Sequence, residues 1–224
     1  MQEIEYRKLV DALPECPGIM GRDRWFYTAV LVPLVWVDGT YHLLFEKRAA
    51  GVRQPGEICF PGGHYAAHDD RDCRETAIRE TVEELGIDAD KICIDGRLGT
   101  LVAAMGTVLE SFVGRLALSD ITALSLDPKE VDRVFTVPVS YFLETAPETY
   151  HVRVEVQPAY LNAEGEKVVL FPTKDLGLPE AYHHAWGGRK YPVRLYRVNG
   201  EIIWGLTAEI IYELVRRWRA AAER

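Results

Sequence analysis

Three glutamates in the stretch RETVEEL carry the most pointed chemistry in this 224-residue chain. Glu80 and Glu83 are three residues apart and Glu80 and Glu84 four, so an α-helix sets both pairs on a shared face and lets three carboxylates converge. Converging like charges repel unless something neutralises them. A divalent cation does so, and magnesium suits carboxylate and phosphate oxygens alike while keeping some of its water. The ordinary alternative is a solvated acidic helix face. Gly62 and Gly63, followed by a polar stretch, make a loop-to-helix unit with these acids. In such a unit backbone N–H groups can support the loop or contact phosphate while the helix presents carboxylates to metal.

The elements that must position these groups are legible in outline. RETAIRETVEEL places Ala77, Ile78, Val82 and Leu85 on one helical face, with Gly86 as a stop. Upstream, residues 51 to 72 read as a structured loop holding one short strand, Glu57 to Phe60. AVLVPLVWVDGTYHLLFEKR predicts a hairpin turning at Asp38–Gly39, with Pro33 marking an edge or a bulge. Residues 3 to 13 predict a short amphipathic helix. Strands are expected around 91 to 94, 107 to 113 and 133 to 137. VRVEV at 152 to 156 is expected to pair with KVVLF at 167 to 171 across the turn NAEGE, before a loop over 172 to 191. A second hairpin at Asn199–Gly200 joins RLYRV to EIIW. A helix from Thr207 to about Arg219 follows, with Thr207 as its cap and Trp204 packed at its entrance. The mixed succession favours an α/β domain over a helix bundle or an all-sheet protein.

Composition narrows the function classes. A formal charge of −8 and a pI near 5.3 argue against a broad basic surface for long nucleic acid. The longest early apolar run, residues 29 to 37, is too short for a transmembrane helix, and the start lacks a signal-like apolar core. A cytoplasmic protein without a membrane partner is therefore expected. Cys16, Cys59, Cys73 and Cys93 show no zinc-like spacing, and their number fits either reduced thiols or two disulfides.

The run GGHYAAHDDRDCRETAIRETVEELGI resembles the signature of the Nudix hydrolases, which typically cleave a nucleoside diphosphate linked to another group. The second half fits fully, through Arg79–Glu80, Glu83–Glu84 and Gly86–Ile87. The resemblance implies Glu83 and Glu84 as principal metal ligands, Glu80 as a further ligand or base-positioning carboxylate, and Arg79 as an internal brace. Two extra residues separate Gly63 from Arg79, so either Asp69 or Asp70 can take the role of the intermediate acid. Upstream, LLFEKRAAGVRQPGEICFPGG is similar to the extended motif of the coenzyme A diphosphatase branch, with Val52 where leucine is usual. Downstream, DPKEVDRVFTVPVSYFL and IIWGLTAEII resemble the same branch, so similarity runs over separate landmarks from about 43 to 215.

The resemblance implies one Nudix-like domain over residues 1 to 224, a mixed β-sheet sandwiched between helices, with an N-terminal extension over 1 to 24 and an elaborated loop-hairpin region over 157 to 191. Arg48 and Arg53 can contact substrate phosphates through directional charged hydrogen bonds, or serve as loop-surface charges. Gly62 and Gly63 belong with them as substrate-binding positions. Glu57 can bind metal or orient water, or accept a loop-closing hydrogen bond; Glu130 can orient or deprotonate water, or sit in an exposed turn. His183 and His184 read as polar loop residues rather than ligands, and Tyr182 and Trp186 either stack on adenine or anchor their loop. Cys59 lacks a neighbouring His or Asn in sequence and reads as a structural thiol.

The expected reaction is attack of water on a diphosphate with Mg2+ or Mn2+ as cofactor, splitting coenzyme A or acyl-CoA into adenosine 3′,5′-bisphosphate and a 4′-phosphopantetheine derivative. ADP-ribose or a dinucleotide is the rival substrate class, and a noncatalytic nucleotide-binding module is the rival function. The expected partner is a CoA-like, nucleotide-containing small molecule, and resemblance adds a homodimer.

Overall fold

The computed structural model describes residues 2–14, 19–21, 24–118 and 120–223. Four α-helices are present among these residues: α1 (Glu3–Asp11), α2 (Cys73–Leu85), α3 (Val139–Glu144) and α4 (Gly205–Ala222). The strands are β1 (Phe26–Val37), β2 (Thr40–Arg48), β3 (Ile58–Cys59), β4 (Gly62–His64), β5 (Ile92–Ala103), β6 (Thr107–Leu116), β7 (Val131–Pro138), β8 (Glu148–Val156), β9 (Ala159–Leu161), β10 (Lys167–Val169), β11 (Trp186–Val198) and β12 (Glu201–Trp204). No helix among the described residues is long and apolar enough to cross a membrane.

β1 to β7 form one mixed sheet whose backbone order is β3-β2-β1-β6-β5, with β4 on β1 and β7 on β2. The uninterrupted apolar run of β1 makes it the centre: Ala29, Leu31 and Val32 are fully buried, so both sheet faces are covered. This corrects the expectation of an edge or bulge at Pro33. On one side β1 runs parallel to β6 from Phe26 to Leu34. On the other it pairs with β4 over Thr28–Val30 and with β2 over Leu34–Val37. Pro33 falls between these two partners. The Leu31 N–H, of the same parity along the strand, points to this side and bonds the Pro61 carbonyl at 2.9 Å. The donor that proline lacks would have faced the gap where β2 and β4 diverge.

That divergence builds the site. β2 leaves β1 and continues along β7, while the short segment β3–Phe60–Pro61–β4 crosses from β2 to β1 and fills the opening. The sheet separates two cores. On one face Ala29, Leu31, Leu44 and Phe112 pack against Ala77 and Leu85 of α2. On the other, Val30, Val32, Phe45 and Val137 pack against Ile210, Ile211 and Val215 of α4. Sheet alternation assigns the two sets, and each buries its apolar stripe on a helix.

The two-residue turns form where expected. Asp38 and Gly39 (φ 48° and 82°) close β1 on β2, and Asn199 and Gly200 (φ 51° and 81°) close β11 on β12, the backbone pattern of a type I′ hairpin. Other expectations need correction. β8 pairs with β11 in a three-stranded sheet β12-β11-β8, while residues 167 to 169 pair only with β9, across the Asn162–Gly165 turn. Residues 172 to 191 are not all loop, since β11 begins at Trp186. β5 extends to Ala103 and forms a hairpin with β6, and Val139–Glu144 is a short helix. α4 starts at Gly205, which puts Thr207 inside its first turn, buried, rather than at the cap; Trp204 occupies the cap position and is 45% exposed instead of packed. α1 forms, ending at Asp11, yet buries no residue.

Candidate functional site

α2 is set by its ends and its face. Asp72 caps it, its Oδ1 accepting from the Arg74 and Glu75 N–H groups at 2.9 and 3.0 Å, and Gly86 (φ 60°) closes it. Thr76, Ala77, Thr81, Glu84 and Leu85 form its buried face. The three glutamates are therefore unequal. Glu84 is 3% exposed, the Glu80 side chain 14% and the Glu83 side chain 57%.

Two glycines let the crossing segment approach this helix. The Gly62 N–H donates to Glu84 Oε2 at 2.9 Å, so of the two roles open to this donor, support of the loop or contact with phosphate, it takes a supporting one and holds the buried carboxylate. A Cβ on Gly62 would lie 2.2 Å from the Ala29 carbonyl oxygen, and one on Gly63 would lie 2.3 Å from the Glu80 carboxyl carbon. The Gly63 carbonyl accepts from the Thr28 hydroxyl at 2.6 Å, which ties the segment to β1.

Arg79 organises the acids. It reaches Asp70 through Nε and Nη2, both at 3.0 Å, and Nη1 lies 2.9 Å from Glu80 and 3.0 Å from Glu83. Asp70 also accepts from the Thr76 hydroxyl at 2.9 Å. Residues 66 to 70 form a tight turn, the Asp69 and Asp70 N–H groups both bonding the Ala66 carbonyl, which takes up the extra length before the helix. Asp70 is thereby the internal acid. Asp69 is exposed beside His68. The Arg79 hydrogen bonds hold the Asp70 carboxyl below the usual carboxylate range.

One participant escaped the sequence reading. Glu46, on β2, is 1% exposed and accepts from the Cys59 thiol at 3.1 Å. Its signal was a glutamate inside the apolar run LLFEKR, where the strand alternation puts it on the same sheet face as Leu44. Burial, then repulsion from Glu46, pushes the Glu84 carboxyl up to about 9; burial, with repulsion from Glu130 and Glu80, pushes Glu46 up to about 7. Burial also raises Glu80, against the pull of Arg79. Cys59 has no His or Asn partner among the described residues, and burial pushes its thiol well above its ordinary value, as suits a structural hydrogen-bond donor.

Glu130 lies exposed in the turn just before β7, its backbone carbonyl bonded to the Ala49 N–H, and its charge acts on Glu46, Glu80 and Glu84. Glu57 is partly buried; its carbonyl accepts from the Arg48 N–H at 2.9 Å, and burial raises its carboxyl. The Arg48 guanidinium braces the loop, donating to the Arg53 carbonyl at 2.9 Å and lying 4.0 Å from the Cys59 sulfur. Arg53 is exposed, 5.9 Å above the Phe26 ring. The residues around 182 to 186, where the histidines read as polar loop residues and the aromatics as adenine-stacking or loop-anchoring, contact their own stretch of chain. His183 bonds the Leu178 carbonyl at 2.9 Å, and Tyr182 and Trp186 meet edge to face at 5.5 Å.

No three His, Cys, Asp or Glu side chains among the described residues stand close enough to form a ready-made cation cage. The donor set nevertheless suits a hard divalent ion. It consists of carboxylates, two of them raised first by burial and then by mutual repulsion, and Glu46 Oε2 is buried with no hydrogen-bond partner among the described residues.

The NUDIX domain family model matches residues 26–182. Among curated relatives, Nudix hydrolase 3 of Caenorhabditis elegans is 35% identical over 53% of this chain and 50% of its own length. The mitochondrial coenzyme A diphosphatase NUDT8 of Mus musculus is 34% identical over 58% of this chain and 62% of its own. The uncharacterized Nudix hydrolase NudL of Photorhabdus laumondii is 28% identical over 85% and 84%. The chain thus spans about half to three fifths of the first two. A family match across most of the chain, on a mixed sheet between helices with the acidic helix against its glycine segment, leaves one conclusion: the chain belongs to the Nudix hydrolase superfamily.

Proposed function

We propose that this protein is a metal-dependent diphosphatase that hydrolyses the diphosphate linkage of coenzyme A or an acyl-CoA, releasing adenosine 3′,5′-bisphosphate and a 4′-phosphopantetheine derivative. The observation that carries the hydrolase reading is the seating of α2 on the glycine segment: Glu84 is held by the Gly62 N–H while Arg79, fixed by Asp70, gathers Glu80 and Glu83. The CoA assignment is supported by the Arg48-to-Gly63 motif and by similarity to the mouse coenzyme A diphosphatase.

Glu80, Glu83 and Glu84 would hold Mg2+ or Mn2+. Bound there, a divalent ion neutralises phosphoryl oxygens and lowers the pKa of water. The chain's own groups supply the rest. Arg79 fixes the two outer carboxylates of α2 by ion pairs and stays protonated throughout. Arg53, exposed at the loop surface, meets a substrate phosphate; Arg48 keeps that loop shaped through the Arg53 carbonyl. Glu57 and Glu130 are the carboxylates available to orient the attacking water and take its proton. No covalent nucleophile is needed, and the buried Cys59 thiol is left to structure.

Product-resolved mass spectrometry with magnesium and a competing panel of CoA, acetyl-CoA, ADP-ribose, NADH and dinucleoside polyphosphates tests this. Adenosine 3′,5′-bisphosphate should dominate, and E83Q and E84Q should each lower its formation by about a hundredfold or more. Preference for AMP-forming cleavage of another substrate would retain the hydrolase and remove the CoA assignment. Absence of turnover in folded, metal-loaded protein would favour a noncatalytic nucleotide-binding module.

A further inference from the structure

β2 alternates strictly as it passes the site. Leu43 and Phe45 face the core under α4, whereas Leu44 and Glu46 face α2. Directly across the β2–β3 ladder from Glu46 is Cys59, whose thiol donates to Oε1 at 3.1 Å. Three residues further along the same crossing segment, the Gly62 N–H holds Glu84. One short segment therefore anchors two buried carboxylates, Glu46 of β2 through a thiol and Glu84 of α2 through a backbone N–H.

The two oxygens of Glu46 differ. Oε1 has the thiol; Oε2 is fully buried and has no hydrogen-bond partner among the described residues. A buried carboxylate oxygen left unpaired costs free energy, and such groups are ordinarily paired or bound to a metal. The charged side chains acting on Glu46 are Arg48, which turns to the Arg53 carbonyl and the Cys59 sulfur, and the acids Glu80 and Glu130. Glu46 in turn acts on Glu84. A second carboxylate facing the acidic helix from the sheet, with one oxygen free, has the chemistry of a ligand for a hard divalent cation.

We propose that Glu46 is a further ligand of the divalent cation held by the α2 glutamates, with Cys59 as the positioning residue that occupies Oε1 and leaves Oε2 for the metal. The inference rests on the metal-dependent reading above, and adds to the helix motif a ligand from the sheet. Cys59 then serves as a neutral donor that orients the outer atom of a metal-bound carboxylate, as the partners of metal ligands commonly do.

The test is a Mn2+ titration of the full chain, read by the paramagnetic resonance signal of free Mn2+, for wild type, E46Q, C59A, C59S and E84Q. E46Q should weaken Mn2+ binding by about 10- to 100-fold. C59A should produce a smaller loss, and C59S, which restores a donor, should regain most of it. Gln keeps the size of Glu46 and an acceptor for the thiol, so the E46Q thermal midpoint in EDTA should equal or exceed that of wild type, while its rise on adding Mn2+ should shrink. Wild-type Mn2+ affinity in folded E46Q, with binding lost in E84Q, would overturn the Glu46 assignment and leave the helix site standing. Failure of wild type to bind Mn2+ would overturn both. Should E46Q not fold, undiminished affinity in C59A would overturn the proposal.

Discussion

Individual residues here are unequal in ways their types conceal. Glu84 and Glu46 are raised to about 9 and about 7, whereas Asp70, held by Arg79, is lowered. In the unfolded chain both glutamates titrate near their ordinary value of 4.5. The metal-free folded protein thus retains protons that the unfolded chain has released, over the window from about 4.5 up to about 9. Stability must fall as pH rises through that window, by at most about 1.4 kcal/mol per pH unit for each excess proton. Asp70 acts oppositely: its contribution is present above the unfolded pKa and is lost as acid protonates it. The thermal midpoint in EDTA is accordingly expected to be higher at pH 6 than at pH 9, with the fall reduced in E84Q and by magnesium, which favours the ionised form. A midpoint in EDTA that climbs between pH 6 and pH 9 would contradict the buried carboxylate pair.

At the scale of elements, the site is a junction between α2 and the segment that crosses from β2 to β1. Its two glycines meet different obstacles, and this separates stability from chemistry. At Gly62 (φ 153°) a methyl group would run into the Ala29 carbonyl and the Val30 backbone, neither of which can move without breaking β1. G62A is expected to destabilise the fold by roughly 3 kcal/mol or more, measured by urea denaturation. At Gly63 the obstacle is the Glu80 carboxylate, the far end of a flexible side chain. G63A should therefore cost less than about 1 kcal/mol of stability yet weaken Mn2+ binding about tenfold or more by displacing Glu80. Equal destabilisation by the two substitutions would contradict this geometry.

Across the whole molecule, the mixed sheet carries two cores, and only the face under α2 holds the site. The face under α4, joined by β11 and β12, anchors β2 and β7 from behind. α1 belongs to neither: none of its residues is buried, and Ile4, Leu9, Val10 and Leu13 in this segment are 44 to 68% exposed. The first 13 residues are thus expected to be dispensable. Their removal should shift the thermal midpoint by less than about 2 °C and leave Mn2+ affinity unchanged. A larger loss would show that α1 packs on the domain.

Features decided over a few residues were legible in the sequence. The spacing of Glu80, Glu83 and Glu84, the stop at Gly86 and the turns at Asp38–Gly39 and Asn199–Gly200 depend on contacts within one turn of chain, and the Nudix signature is a string of such local features. What lay beyond reach was non-local. The pairing of β8 with β11 rather than with residues 167 to 169 is a choice among strands of the same period. The place of Pro33 at the centre of the sheet needed two partners to diverge from one strand. The selection of Asp70 over Asp69 turned on how a loop folds back on Arg79. Glu46 shows the limit most plainly: a glutamate in a strand is ordinarily solvated, and only the sheet's closure over it, against Cys59 and the buried side of α2, made it a buried acid beside Glu84 with one oxygen unpartnered among the described residues.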